Sequence, residues 1–209
     1  LSTDYVFDGT KRGPCLETDP VSPVSAYGRS KAEGEAEVRT RHRDHIVLRT
    51  SWLYGVTGRN FVRTMLQLGR KQEVLKVVDD QTGCPTFAED LARAVLDMVA
   101  VLRRGGPPVW GTYHYCGGGQ TTWYGFAVEL FKEAKTYEPL AVRELVPIAT
   151  SDFNAPARRP ANSTLDCSLL KEVFGIQRVP WQESLSRMLE RYYASANPIG
   201  SAGKHGSAH

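Results

Sequence analysis

Short runs of β-branched and aromatic residues alternate along this chain with longer stretches whose apolar residues recur at i, i+3 and i+4. That change of period limits the available folds more than any other feature, because strands alternating with amphipathic helices pack as α/β proteins with parallel sheets. The pattern predicts a strand ending within residues 1–7, then a loop rich in Gly, Pro and Asp through Pro23 and a helix over 26–43. In that helix Glu33, Glu35 and Glu37 precede Arg39, Arg41 and Arg43, the order a helix dipole favours. Strands are expected over 46–50, 74–78, 112–116 and 140–146. Helices are expected over 60–71, over 87–102 with Gly105, Gly106 and Pro107 closing it, over 122–135 with Thr121 or Thr122 as cap, and over 181–193.

A chain of 209 residues with 41% apolar and 23% charged residues can bury a core without staples. The 26 Lys and Arg are scattered and exceed the 23 Asp and Glu by only three, so nucleic acid is not the expected partner. Cys15, Cys84, Cys116 and Cys167 lie far apart with no CxxC pair, and there is no secretory leader; reduced thiols in a cytoplasm are the expectation. The longest apolar stretch, residues 91–102, is broken by Arg93 and Asp97 and falls short of the roughly 20 residues a membrane span needs, so no membrane partner is expected. Leu1 falls inside a strand pattern without an initiator Met, which reads as the C-terminal part of a longer polypeptide. Residues 194–209, rich in Gly, Ser, Ala and His, read as a solvated tail.

Two segments carry chemistry. Tyr27-Gly28-Arg29-Ser30-Lys31 sets a phenol and an ammonium four residues apart at the start of a helix, on one face. A cation held near a phenol favours the phenolate and fits the tyrosine for proton transfer, although on spacing alone such a pair is more often a solvated surface pair. Ser2-Thr3-Asp4-Tyr5-Val6-Phe7-Asp8-Gly9 puts hydroxyls and a carboxylate where a strand runs out into a loop, the place where open α/β sheets gather their sites. Asp8-Gly9 is also ordinary turn chemistry.

Together with Arg49-Thr50-Ser51-Trp52-Leu53-Tyr54-Gly55, Asp80-Gln81-Thr82-Gly83-Cys84-Pro85-Thr86, and Arg158-Arg159-Pro160 before Leu165-Asp166-Cys167, these segments resemble the dTDP-4-dehydrorhamnose reductases, a family of extended short-chain dehydrogenases/reductases. The resemblance runs to about Tyr193. It implies an incomplete Rossmann-like α/β fold, with the later strands of a parallel sheet and a smaller α/β substrate-binding region. Residues 1–56 would close the Rossmann-like part, and residues 57–193 would interleave the remaining sheet elements with the substrate region.

The resemblance also implies roles. Thr3, Tyr27 and Lys31 match the family's catalytic hydroxyl, proton-donating tyrosine and lysine. Leu1, Tyr27 and Lys31 match positions at the NADPH or NADH nicotinamide, and Thr3, Asp4, Trp52, Asn60 and Arg159 match positions toward a dTDP-linked deoxysugar. Arg158 and Arg159 could grip a pyrophosphate, and an exposed arginine pair is as often simply solvated. Glu89 matches an acidic position that holds Mg2+ at a dimer contact in some relatives, but Arg191 stands where a second carboxylate would be sought, so no metal ligand is assigned. Trp110, Tyr113, Tyr115, Trp123 and Phe126 are expected in the core, and His114 alone makes no metal site.

The family's glycine-rich dinucleotide turn has no counterpart here, since Gly117-Gly118-Gly119 lacks the spacing and the downstream acid. The expected function is therefore reduction of a nucleotide-linked 4-keto-6-deoxysugar by the full-length protein, with little activity in this chain. A homo-oligomer covering the exposed sheet edge is expected as well. The alternatives are a nucleotide-sugar epimerase or dehydratase, and a noncatalytic regulatory subunit on the same fold.

Overall fold

In the computed structural model, residues 1–105, 109–153 and 159–196 are described. The chain runs β1 (Ser2–Thr3), a single 3-10 turn at Asp4–Val6, α1 (Ala26–Arg41), β2 (Ile46–Thr50), β3 (Leu53–Tyr54), α2 (Phe61–Gly69), β4 (Val74–Val78), β5 (Thr82–Gly83), β6 (Thr86–Phe87) and α3 (Ala88–Arg103). It continues through β7 (Gly111–His114), β8 (Thr121–Thr122), α4 (Trp123–Ala134), β9 (Glu144–Ile148), β10 (Asn162–Ser163), α5 (Ser168–Phe174) and α6 (Trp181–Ala196).

β2 is central in a parallel sheet of order β1-β2-β7, with Ser2 opposite Arg49 and Ile46 opposite Gly111. Its near-continuous burial is what a strand covered on both faces requires. β4 and β9 form a parallel pair, as do β3 and β6, and β5 lies between parallel β10 and antiparallel β8. One core packs α2, α4 and α6 against β4 through Leu66, Leu130, Phe126, Leu185 and Leu189. A second sets α3 and α5 against β2 and β7 through Leu48, Leu91, Met98, Tyr113 and Leu170. Among the described residues no helix is long and apolar enough to cross a membrane.

Capping chemistry fixes the helix starts. Ser25 Oγ accepts the Gly28 N–H at 3.0 Å, Asn60 Oδ1 accepts the Arg63 N–H at 3.1 Å, and Thr122 Oγ1 accepts the Gly125 N–H at 3.0 Å. Residues 60 and 122 are thus caps rather than first helical residues. α1 presses closely on the turn after β1: a Cβ at Gly28 would overlap the Tyr5 carbonyl oxygen. From its other side Glu35 reaches Arg49 of β2 at 2.6 and 2.9 Å, an ion pair buried on both sides. Burial, the largest single influence, would raise the Glu35 carboxyl, but the hydrogen bonds and charge of Arg49 together with the Ser2 hydroxyl and Arg39 outweigh it and hold the group below the usual carboxylate range.

Four expectations shift. The first strand ends at Thr3, because the Thr3 side chain accepts the Tyr5 N–H and turns the backbone into the 3-10 turn. The strand expected over 140–146 lies at Glu144–Ile148: the Val142 N–H is spent on the Gly69 carbonyl at 2.9 Å, and the ladder with β4 starts at Glu144. Pro147 fits there because, among the described residues, β9 pairs with β4 alone. The short helix α5 was not anticipated; left-handed Gly175 (φ +70°) ends it. Trp110 is 40% exposed rather than core. Gly106, Pro107, Arg158 and residues 197–209 lie outside the described residues.

Candidate active site

The carboxyl end of β1, the start of α1 and the loop after β2 meet around a cleft of about 400 Å³. Leu1, Thr3, Asp4, Tyr27, Lys31 and Trp52 all line it, so six of the eight residues singled out from the sequence come together. Tyr27 is 56% exposed and stands edge-on to Tyr5, with ring centroids 5.9 Å apart. One turn along α1, Lys31 Nζ donates to the Leu1 carbonyl at 2.7 Å, which draws the ammonium alongside the start of β1. The remaining donors of this ammonium are available to a ligand in the cleft.

Thr3 and Asp4 form the floor. The Thr3 hydroxyl donates to Asp4 Oδ1 at 2.9 Å and accepts the Tyr5 N–H at 3.2 Å. Asp4 is 3% exposed and its Oδ2 has no hydrogen bond of good geometry, as is also true of Thr50 Oγ1 beside it. Burial is the main influence on Asp4 and pushes its carboxyl up to about 6, against the opposing effect of the Ser163 and Thr3 hydroxyls. Buried polar atoms without partners next to a cleft are what a polyhydroxy ligand would satisfy.

Asn60 and Arg159 are not brought to this cleft. The Asn60 amide is committed to its own loop, donating to the carbonyls of Gly55 at 2.8 Å and Thr57 at 3.2 Å, and it lines a neighbouring cleft of about 340 Å³ with Arg59 and Glu89. Arg159 is exposed and acts on Tyr5 through charge only. Arg49, which the sequence left open between ligand contact and structure, is buried in its pair with Glu35. His114 is fully buried, and burial, then Arg49, lowers it to about 4, so it is neutral. Glu89 pairs with Arg191 of α6 at 2.8 Å. All four cysteines are free and buried.

Sequence reasoning missed Trp123. Expected in the core, it lines the cleft and stacks on Trp52, with centroids 3.5 Å apart and planes 6° from parallel. The available signal was its place immediately after the Thr122 cap, at the junction of a strand and a helix.

Residues 1–194 match the family described as RmlD substrate binding domain. The chain belongs to that family. The RmlD-type relatives include the dTDP-4-dehydrorhamnose reductase of Burkholderia thailandensis, 46% identical over 187 residues that make up 87% of this chain and 63% of that one. The reductase of the same name from Aggregatibacter actinomycetemcomitans is 43% identical over 93% of this chain and 66% of its own length. The chain thus spans about two-thirds of the length of these RmlD relatives. A crystal structure of the Clostridium acetobutylicum dTDP-4-dehydrorhamnose reductase superposes with a TM-score of 0.82 at 41% identity, covering 91% of this chain and 64% of that one. The Bacillus anthracis reductase, solved in complex with NADP, gives 0.79 at 36% identity over the same shares. A dTDP-glucose 4,6-dehydratase shares the fold at 18% identity and a TM-score of 0.73. RmlD membership and these neighbours place the chain in the Rossmann-like α/β class that the resemblance implied, in keeping with the α/β pattern of its periodicity.

Proposed function

We propose that this chain supplies the sugar-nucleotide site and the proton donor for reduction of dTDP-4-dehydro-L-rhamnose to dTDP-L-rhamnose by NADPH or NADH, a step of deoxysugar and polysaccharide synthesis. The observation that carries this reading is the convergence of Thr3, Asp4, Tyr27, Lys31 and Trp52 on one cleft. It is supported by the RmlD relatives named as reductases.

Tyr27, exposed at the cleft mouth, gives its phenolic proton to the oxygen growing at C4 of the sugar. Thr3 holds that oxygen in place, and Lys31, anchored on the Leu1 carbonyl, sets its remaining donors toward a ribose hydroxyl and the tyrosine. The indole of Trp52 suits the apolar face of a deoxysugar. The Lys31 donors and the Leu1 backbone fit the nicotinamide-ribose end of a dinucleotide. When bound, the reduced nicotinamide supplies the hydride. Asp4 takes a sugar hydroxyl; Asn60 and Arg159 would need to move to do so.

The test is turnover in the protein carrying this chain together with a dinucleotide-binding segment. NADPH is consumed on addition of dTDP-4-dehydro-L-rhamnose, and Tyr27→Phe lowers kcat about a hundredfold or more. Undiminished turnover by that variant, or none by the unaltered protein, would overturn the proposal. A homo-oligomer, as expected from the sequence, belongs to this reading, and a monodisperse monomer by light scattering at micromolar concentration would argue against one.

A further inference from the structure

Two tryptophans make one wall of the cleft. Trp52 has φ +46°, the one non-glycine residue with positive φ among the described residues. A bulky side chain keeps such a backbone only where its surroundings over-determine it. Two contacts on the indole do so. The Trp123 ring covers one face of the Trp52 indole at 3.5 Å and 6°. The plane of Trp123 is fixed in turn, since its Nε1–H donates to Gln81 Oε1 at 3.2 Å, and the Gln81 amide donates to Thr150 Oγ1 at 3.0 Å. At the edge of the Trp52 indole lies Gly83, where a Cβ would overlap Cε2, Nε1 and Cζ2.

We infer that Trp123 and Gly83 are positioning residues that clamp the Trp52 indole as a fixed apolar wall, and that this wall selects a sugar bearing a C6 methyl over one bearing a C6 hydroxymethyl. The inference rests on the cleft being a sugar-nucleotide site. The Trp123 N–H is already spent on Gln81 and the Nε1 edge of the Trp52 indole packs against Gly83, so the ring faces offer a hydroxymethyl group no partner for the water it loses, whereas a methyl gives up nothing. A wall free to rotate could open a gap or recruit a water; a clamped one cannot.

Calorimetric titration of the 209-residue chain with dTDP, dTDP-L-rhamnose and dTDP-L-mannose tests this, because the two sugars differ only by the C6 hydroxyl. The unaltered chain prefers the rhamnoside by about ten- to a hundredfold. Trp123→Leu and Gly83→Ala each bring that preference to about twofold or less while dTDP alone binds as before, and Trp123→Phe, which keeps a stacked ring but loses the bond to Gln81, recovers part of it. A preference that survives Trp123→Leu, or a parallel loss of dTDP affinity in that variant, would overturn the inference and leave the sugar-nucleotide reading standing. Failure of the unaltered chain to bind any of the three would overturn both.

Discussion

A carboxyl group that is 3% exposed, with one oxygen lacking a well-made hydrogen bond, costs stability whenever it ionises. Asp4 is such a group, its folded value raised to about 6 from 3.8. An acid raised in the folded state stabilises fully below its unfolded value, and that stabilisation is lost as pH rises through the folded value. Asp4→Asn keeps an acceptor for the Thr3 hydroxyl but cannot ionise. Urea unfolding should therefore show the variant gaining up to about 3 kcal/mol over the unaltered chain at pH 8, with the difference vanishing near pH 4. A gap independent of pH would mean that Asp4 does not titrate in this range. The proton matters to the site as well. With Asp4 ionised the Thr3 hydroxyl points its hydrogen at Oδ1, whereas a neutral Asp4 frees it to donate toward a ligand. That Asp4, Thr3 and Trp52 line one cleft was foreshadowed in the sequence by motifs that follow one another in order along the chain. The place of Trp123 was not, because a tryptophan at the start of an amphipathic helix reads as core until the cleft beside it is seen.

Among the elements, α1 depends on two contacts that its own sequence does not reveal. Gly28 leaves room for the Tyr5 carbonyl, so Gly28→Ala must lift α1 off the turn after β1. We expect a loss of about 1–3 kcal/mol in denaturant unfolding, with kcat falling further than stability alone accounts for, since Tyr27 and Lys31 ride on the displaced turn. Arg49→Met on β2 would leave buried Glu35, at the middle of the same helix, with the part-exposed Arg39 as its remaining cation and cost up to about 3–5 kcal/mol. Replacing both residues with apolar ones of similar size should restore most of that loss, and a double variant as unstable as the single one would contradict the pairing. The helix ends expected over 26–43, 60–71 and 122–135 fell within a residue or two of the observed ones, whose starts are set by the local capping chemistry of Ser25, Asn60 and Thr122. The β9 strand moved because a tertiary bond, Val142 to Gly69, decides where its ladder begins. Short strands such as β3, β5 and β8 have no period of their own to read.

For the molecule as a whole, the cleft lies where β1, β2 and the start of α1 converge, and its far wall comes from α4, more than seventy residues farther along the chain. A ligand that touches both sides couples the sheet to the α2-α4-α6 core and should raise the thermal midpoint of the chain as its concentration rises. The most direct test is a crystal structure of this chain with dTDP-L-rhamnose. The account predicts the sugar against Trp52, with O4 about 2.6–3.2 Å from Tyr27 Oη or Thr3 Oγ1. A sugar seated in the neighbouring cleft beside Asn60 and Glu89, with the Tyr27 hydroxyl touching nothing, would contradict it.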